Sequence, residues 1–239
     1  LKGILKRGWL AMRSNFYVLS FMAGITIILG FLLSFAATSL KAKQDFNIEI
    51  DKKKNILRSL SIPSDQSQKL SQSDIQKLYD EEITTLNIDK SGMKSDDGEL
   101  SVYIATDGGQ PTGYSIPISG KGLWSTIYGY IALEPDGITV KGITFYKHGE
   151  TPGLGGELEK DWFTSNFVGK QIYNEEGDLV SIEIVKGQVN QNDMNAIHQV
   201  DGISGSTLTG KGMNQFIAQD LNIYKPFLDR IRAGENIFE

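Results

Sequence analysis

The chain opens with a hydrophobic block unlike anything further along it. From Ser14 to Leu40, SNFYVLSFMAGITIILGFLLSFAATSL, no residue is charged. A bilayer core needs about 20 helical residues, so residues 14–40 are predicted to form a transmembrane helix. Phe16 and Tyr17 stand at one border, where aromatic side chains anchor a span at the interface. The apolar core of a cleaved signal peptide is shorter, about 7–15 residues. Retention as an anchor is therefore the expectation, with Ala36-Ala37-Thr38-Ser39 as the stretch where cleavage would otherwise fall. Residues 1–13 form a short basic tail with Lys2, Lys6, Arg7 and Arg13. Lysines also follow the span, so the choice of side rests on the short tail, which weighs more than a long domain that translocates regardless of charge. The tail is expected inside and the large domain outside.

Helical spacing resumes after the span. Phe46, Ile50, Ile56, Leu57 and Leu60 recur at that period over 41–62, and Pro63-Ser64-Asp65 then interrupts the pattern. The Ser/Gln-rich stretch 64–73 reads as a loop, Ser73 to Thr85 as a short helix, and the polar stretch 87–99 as turns. Residues 41–99 are thus a helical linker and connecting region. From residue 100 the period shortens. Leu100–Thr106, Tyr114–Ile118, Leu123–Leu133 and Thr139–Tyr146 are predicted strands. Glu134-Pro135-Asp136-Gly137 supplies the turn of a hairpin between the last two. A short helix is expected over Asp161–Phe167 and a strand over Leu179–Val185. Met213, Phe216, Ile217, Leu221 and Tyr224 fall on one helical face, ended by Pro226. Strands and helices mix without βαβ alternation. The fold class is α+β, with residues 100–239 as the main domain behind a single N-terminal transmembrane helix.

Composition narrows the chemistry. With 24 Lys and Arg against 29 Asp and Glu, the net charge is −5, and no basic stripe is visible, which argues against nucleic acid as a partner. Cysteine is absent, which excludes disulfides, thiolate catalysis and Cys-ligated iron–sulfur or zinc sites in this chain. Two histidines, His148 and His198, are too few for a histidine-rich metal centre, and no metal site is expected.

Two glycine-rich stretches remain as candidate sites. The first, HGETPGLGGE at 148–157, matches no nucleotide fingerprint, but its glycines permit close backbone approach to a ligand. The second, DGISGSTLT at 201–209, places Ser204, Ser206 and Thr207 just ahead of a helix. One reading is a glycine-eased turn with Ser206, Thr207 or Thr209 as the N-cap. The other uses the same geometry to hold a phosphate at the helix N-terminus or to esterify one of the hydroxyls. A hydrolase nucleophile is disfavoured, because GISGS is not GxSxG and nothing in the spacing orients His198 as a base.

The segments GKGLWST at 120–126, TFYKHGETPGLGGE at 144–157 and DGISGSTLT, together with the single span and the basic helix after it, resemble the C-subunit family of the sodium-translocating NADH:quinone reductase of bacterial membranes. The related G-subunit family of the Rnf ferredoxin–NAD oxidoreductase shares the anchor and the SGxT site, although the wording of the first two segments is nearer to the quinone reductase. The resemblance implies an FMN-binding α+β domain whose FMN is joined by a phosphoester to Thr207, attached by a separate flavin transferase. Asp201, Ser204, Gly205 and Ser206 would form the recognition context. The family usually has Ala where this chain has Ser206, which leaves a second hydroxyl beside Thr207. Trp124, Ser125, Glu150, Thr151, Leu154 and Gly155 would line the flavin. The resemblance further implies an electron-relaying component of an inner-membrane complex whose partners carry iron–sulfur and flavin centres, with NADH oxidation, quinone reduction and sodium passage in those partners. A redox-inactive membrane-anchored binding or sensor domain is the reading from another class.

Overall fold

The computed structural model describes residues 2–63, 70–236 and 238, with side chains from residue 15 onward. The side chains of the basic tail and residues 64–69 of the Ser/Gln loop lie outside the described residues. Two compact units are present, Leu1–Glu49 and Ile50–Glu239.

The described residues of the first unit are helical and belong to α1 (Lys2–Ser59). It has one stretch long and apolar enough to cross a membrane. Phe16, Leu19, Ile27, Phe31 and Leu33 are all exposed. Tyr17–Phe21 and Phe31–Phe35 stack one turn apart, at 6.4 and 6.3 Å. An apolar surface around a helix that satisfies its own backbone suits lipid, so the unit fits membrane anchoring.

The second unit is built on a five-stranded antiparallel sheet in the order β1 (Ile83–Ile88), β2 (Leu100–Asp107), β3 (Gln110–Lys121), β4 (Thr126–Leu133) and β5 (Val140–Lys147). Both faces are covered. Period-two alternation sends Val102, Ile104, Ile116, Ile118, Ile131 and Leu133 to one face. There they meet Met213, Phe216, Ile217, Leu221, Phe227 and Leu228 of helix α4 (Thr207–Arg232). The opposite face presents Ala105, Tyr130 and Ala132 to Ile50, Ile56 and Leu57 of α1, to Leu60 just after it, and to Ile75 of α2 (Gln72–Glu82). On that face Tyr130 stacks on Tyr146 at 5.4 Å and receives Tyr103 edge-on at 5.7 Å. Burial on both faces explains why β4 is so dense in aromatic and β-branched residues.

The structure departs from the sequence reading in several places. The short helix expected over Ser73–Thr85 is α2, but it ends at Glu82 and gives way to the edge strand β1 within the segment read as linker, and the compact unit already begins at Ile50. Strand β1 leaves no separate signal in the sequence because α2 runs into it without a loop, the Ile83 N–H bonding Tyr79 O while Ile83 itself starts the strand. Helix α4 does not stop at Pro226 but passes through it to Arg232. Phe227, Leu228 and Ile231 are buried beyond the proline. Burial contributes about 1.5–3 kcal/mol for each such side chain, together more than the roughly 3 kcal/mol that an interior proline costs. The strand expected over Leu179–Val185 shrinks to β6 (Glu183–Ile184), paired in parallel with β7 (Gln199–Val200). Ser181 interrupts it with a φ of 66°. The helix expected over Asp161–Phe167 is a short α3 (Asp161–Thr164) continued by a 3-10 turn. The Leu123–Leu133 run is extended only from Thr126, since residues 122–125 make a turn closed by Gly122 N–H to Ser125 O at 2.8 Å.

Candidate functional site

Three segments distant in sequence meet at one end of the sheet: the 120–126 turn before β4, the 148–157 loop after β5, and the 201–212 approach to and start of α4. Glu150 joins them. Its Oε1 accepts the backbone N–H of Trp124 at 2.9 Å and of Ser125 at 3.2 Å. Its Oε2 accepts the N–H of Leu123 at 3.3 Å and the Thr209 hydroxyl at 2.8 Å. The side chain is buried. Burial alone would push its pKa up, but the donors from Trp124, Thr209, Ser125 and Leu123 outweigh it and hold the carboxyl below its ordinary value. Space confirms the closeness: a Cβ on Gly155 would lie 2.7 Å from Thr209 Oγ1 and 2.9 Å from Glu150 Oε2. The Ser125 hydroxyl adds a further link by accepting Gly149 N–H at 2.6 Å.

The start of α4 is unusual. Gly205 has a φ of 75°, which a side chain would resist, and Leu154 Cδ2 lies 2.9 Å from where its Cβ would be. Ser206 occupies the N-cap position, but its hydroxyl makes no capping bond, and no acidic residue stands in the first turn. The expectation of a hydroxyl cap is thus met in position and not in chemistry. Ser206 Oγ is buried and has no hydrogen-bond partner among the described residues. Thr209 is committed to Glu150. Thr207, the first helical residue, is exposed, as is Ser204.

The residues anticipated from the sequence therefore fall into two groups. Trp124, Thr151, Leu154, Ser204, Gly205 and Thr207 form an exposed rim, with Trp124 at 70 % and Leu154 at 43 % of full exposure. Glu150, Gly155 and Ser206 are buried within the frame, with Ser125 partly so. Glu150 faces the backbone of the Trp124 turn rather than open space. Asp201 is engaged elsewhere, its Oδ1 accepting Val189 N–H at 2.8 Å. His198 is likewise structural, with Nδ1 2.6 Å from Gln171 O. Thr209 was foreseen only as a cap. Leu208, 58 % exposed beside Thr207, was not foreseen; nor was Leu123, 40 % exposed beside Trp124. Their one sequence signal is a large apolar residue next to each site residue in a polar stretch.

This arrangement suits a ligand with an anionic group and a flat, largely apolar body. The uncapped N-terminus of a 26-residue helix offers N–H donors and the positive end of its dipole. The exposed Trp124, Leu154 and Leu208 offer apolar surface, and the Thr151–Gly155 backbone adds polar groups. A flavin nucleotide has both parts.

Known proteins agree. The FMN-binding domain family matches residues 122–222, which contain all three converging segments but for residues 120 and 121. The C subunit of the Na+-translocating NADH-quinone reductase of Pseudomonas aeruginosa is 35 % identical over 84 % of this chain and 89 % of its own. Its Yersinia pestis counterpart is 33 % identical over 88 % and 90 %. The chain belongs to the C-subunit family of the Na+-translocating NADH-quinone reductase. Of the two families that the sequence segments resemble, it is the first. Solved structures agree in fold. The C subunit from Parabacteroides distasonis superposes with a TM-score of 0.68 at 32 % identity, covering 79 % of this chain and 96 % of that one. NqrC from Shewanella oneidensis gives 0.65 at 27 % identity, covering 76 % and 98 %. As a member of this family with an FMN-binding domain, the chain is a flavoprotein component of a multi-subunit oxidoreductase.

Proposed function

We propose that the chain relays electrons within the sodium-translocating NADH:quinone reductase through FMN bound covalently as a phosphoester of Thr207. The observation that carries this reading is the contrast between neighbouring hydroxyls. Thr207 is exposed at the first position of a helix that no side chain caps, whereas Ser206 is buried and Thr209 already donates to Glu150. Attachment by a separate flavin transferase would form the Thr207 Oγ1–phosphorus bond as a leaving group departs from an activated flavin phosphate and the hydroxyl gives up its proton. FMN exchanges one or two electrons, and the protein supplies its orientation and electrostatics.

The chain's own residues have distinct tasks in this account. Thr207 tethers the cofactor, and the helix N-terminus favours the phosphate charge. Trp124 and Leu154 offer ring contacts, and the Thr151–Gly155 backbone offers hydrogen bonds to the ring's polar edge. Ser125 and Glu150 hold the two loops in register. Asp201, Ser204 and Gly205 shape the approach that a transferase must recognise. NADH, quinone and sodium would be handled by partner subunits with iron–sulfur and flavin centres. The N-terminal helix would anchor the chain in the bacterial inner membrane, tail inside and flavin domain on the outer side. A covalent tether there prevents loss of a cofactor that the surroundings could not replace.

Denaturing gel electrophoresis of protein from cells containing the transferase tests this directly. Fluorescence under ultraviolet light is expected in the wild-type band and in Ser206→Ala, and its loss in Thr207→Ala. A dark wild-type band would favour the redox-inactive binding or sensor reading.

A further inference from the structure

Asn214, two turns into α4, grips one residue's backbone with both halves of its amide. Its Oδ1 accepts Ile184 N–H at 2.7 Å, and its Nδ2 donates to Ile184 O at 3.1 Å. Ile184 belongs to β6 and is buried. It also meets the helix at Gly210, where a Cβ would lie 3.4 Å from Ile184 Cγ2. Gly210 stands four positions before Asn214 and Thr207 seven, so the three share one face of a helix with 3.6 residues per turn. The face that begins with Thr207 is therefore the face on which β6 rests. Thr209 lies on the opposite side and is tied to Glu150.

The segment that begins at Ile184 also holds the chain ahead of the helix. Val185 N–H donates to Val200 O at 3.0 Å, and Gly202 N–H donates to Gly187 O at 2.8 Å. Asp201 Oδ1 accepts Val189 N–H at 2.8 Å. The approach is close enough to require glycine at 202, where a Cβ would lie 2.1 Å from Val185 O. Residues 184–189 thus hold the chain on both sides of the turn at 203–206, by residues 200–202 before it and by Asn214 after it. The Ser206 hydroxyl makes no capping bond, so the path of the chain into Thr207 is set from outside the turn.

We propose that Asn214 is a positioning residue for flavin attachment. Its clasp on Ile184 fixes the helix start against the segment that holds residues 200–202, and so presents the Thr207 hydroxyl to the transferase in one orientation. The proposal rests on the reading of Thr207 as the attachment residue and adds what holds that residue in place. Asn214 acts through Ile184 and not on the flavin. Leucine at this position would leave Ile184 N–H and O without their partners and release the turn on its helix side. Aspartate would keep the acceptor and lose the donor.

The test uses the full chain in detergent micelles, isolated from cells without flavin transferase. Purified transferase is added with FAD as the activated flavin phosphate, AMP being the leaving group. Initial rates of attachment per folded chain are compared for the wild type, Asn214→Leu, Asn214→Asp and Tyr173→Phe. The last removes a bond to Asp229 at the far end of α4 and controls for a general loss of stability. At saturating FAD, Asn214→Leu is expected to react about tenfold to hundredfold more slowly, the range for a misplaced reacting group, with the KM for FAD unchanged. Asn214→Asp should fall between, and Tyr173→Phe should match the wild type. Amide exchange should quicken at Ile184 and Gly202 in Asn214→Leu while β3 and β4 keep their protection. Unchanged rates in both Asn214 variants, or a slowing that Tyr173→Phe reproduces, would overturn the proposal and leave the attachment. If Asn214→Leu does not fold, Asn214→Asp carries the same comparison. A wild-type chain that takes no flavin on Thr207 overturns the attachment reading, and the proposal with it.

Discussion

The Thr209 hydroxyl donates to Glu150 Oε2 at 2.8 Å across 59 positions of sequence, joining the first turn of α4 to the glycine loop after β5. Through the other bonds of the same carboxylate, the helix start is also tied to the turn that carries Trp124. The geometry around Thr207 therefore depends on a carboxylate bonded two positions further along the same helical turn.

Glu150→Gln replaces one acceptor oxygen with an amide that donates, against a set of groups that all donate. Leaving a buried donor unmet costs about 1–3 kcal/mol, more for partners of a charged group. Urea unfolding should show a loss of that size, with attached flavin reduced in parallel. Thr209→Val removes one donor from the carboxylate and should cost about 1.5–3 kcal/mol.

The same carboxylate sets a dependence on pH. Its folded pKa lies below its unfolded one, so its contribution is complete above the ordinary Glu range near about 4.3 and fades as pH falls through the lower folded value. The stability gap between wild type and Glu150→Gln should be full at pH 6 and narrow in acid below that range. A gap that widened on acidification would mean that the carboxyl is raised instead.

Ser206→Ala distinguishes a capping serine from a buried one. Removal of a true N-cap hydroxyl costs about 0.5–2 kcal/mol. Here the hydroxyl has no partner, so the unflavinylated protein should unfold at the same or higher urea concentration after the change.

Phe227→Ala tests whether α4 passes through Pro226. Phe227 is fully buried and meets Tyr114 edge-on at 5.9 Å. A loss of about 3–5 kcal/mol is expected, as for other buried Phe→Ala changes. A chain that left the helix at Pro226 would lose far less.

What the sequence revealed follows the range of the forces involved. The β4–β5 hairpin was legible because Glu134-Pro135-Asp136-Gly137 encodes its turn locally, and the face of α4 was legible from Met213 to Tyr224 by period alone. The continuation past Pro226 was not, because it depends on burial of Phe227 and Leu228 against the sheet. Strand β1 was hidden at its junction with α2, where two periods overlap in a few residues. In the site, GETPGLGG and SGST could be singled out by their glycines. The Glu150–Thr209 bond and the opposite burial of Ser206 and Thr207 arise only when distant segments meet.

The central claim is the bond between Thr207 and FMN. Peptide mass spectrometry across residues 201–211, on protein from cells that contain the transferase, measures it directly. The account predicts a peptide heavier by FMN less one water, with fragment ions assigning the addition to Thr207. An addition on Ser206, or an unmodified peptide at full occupancy, would contradict it.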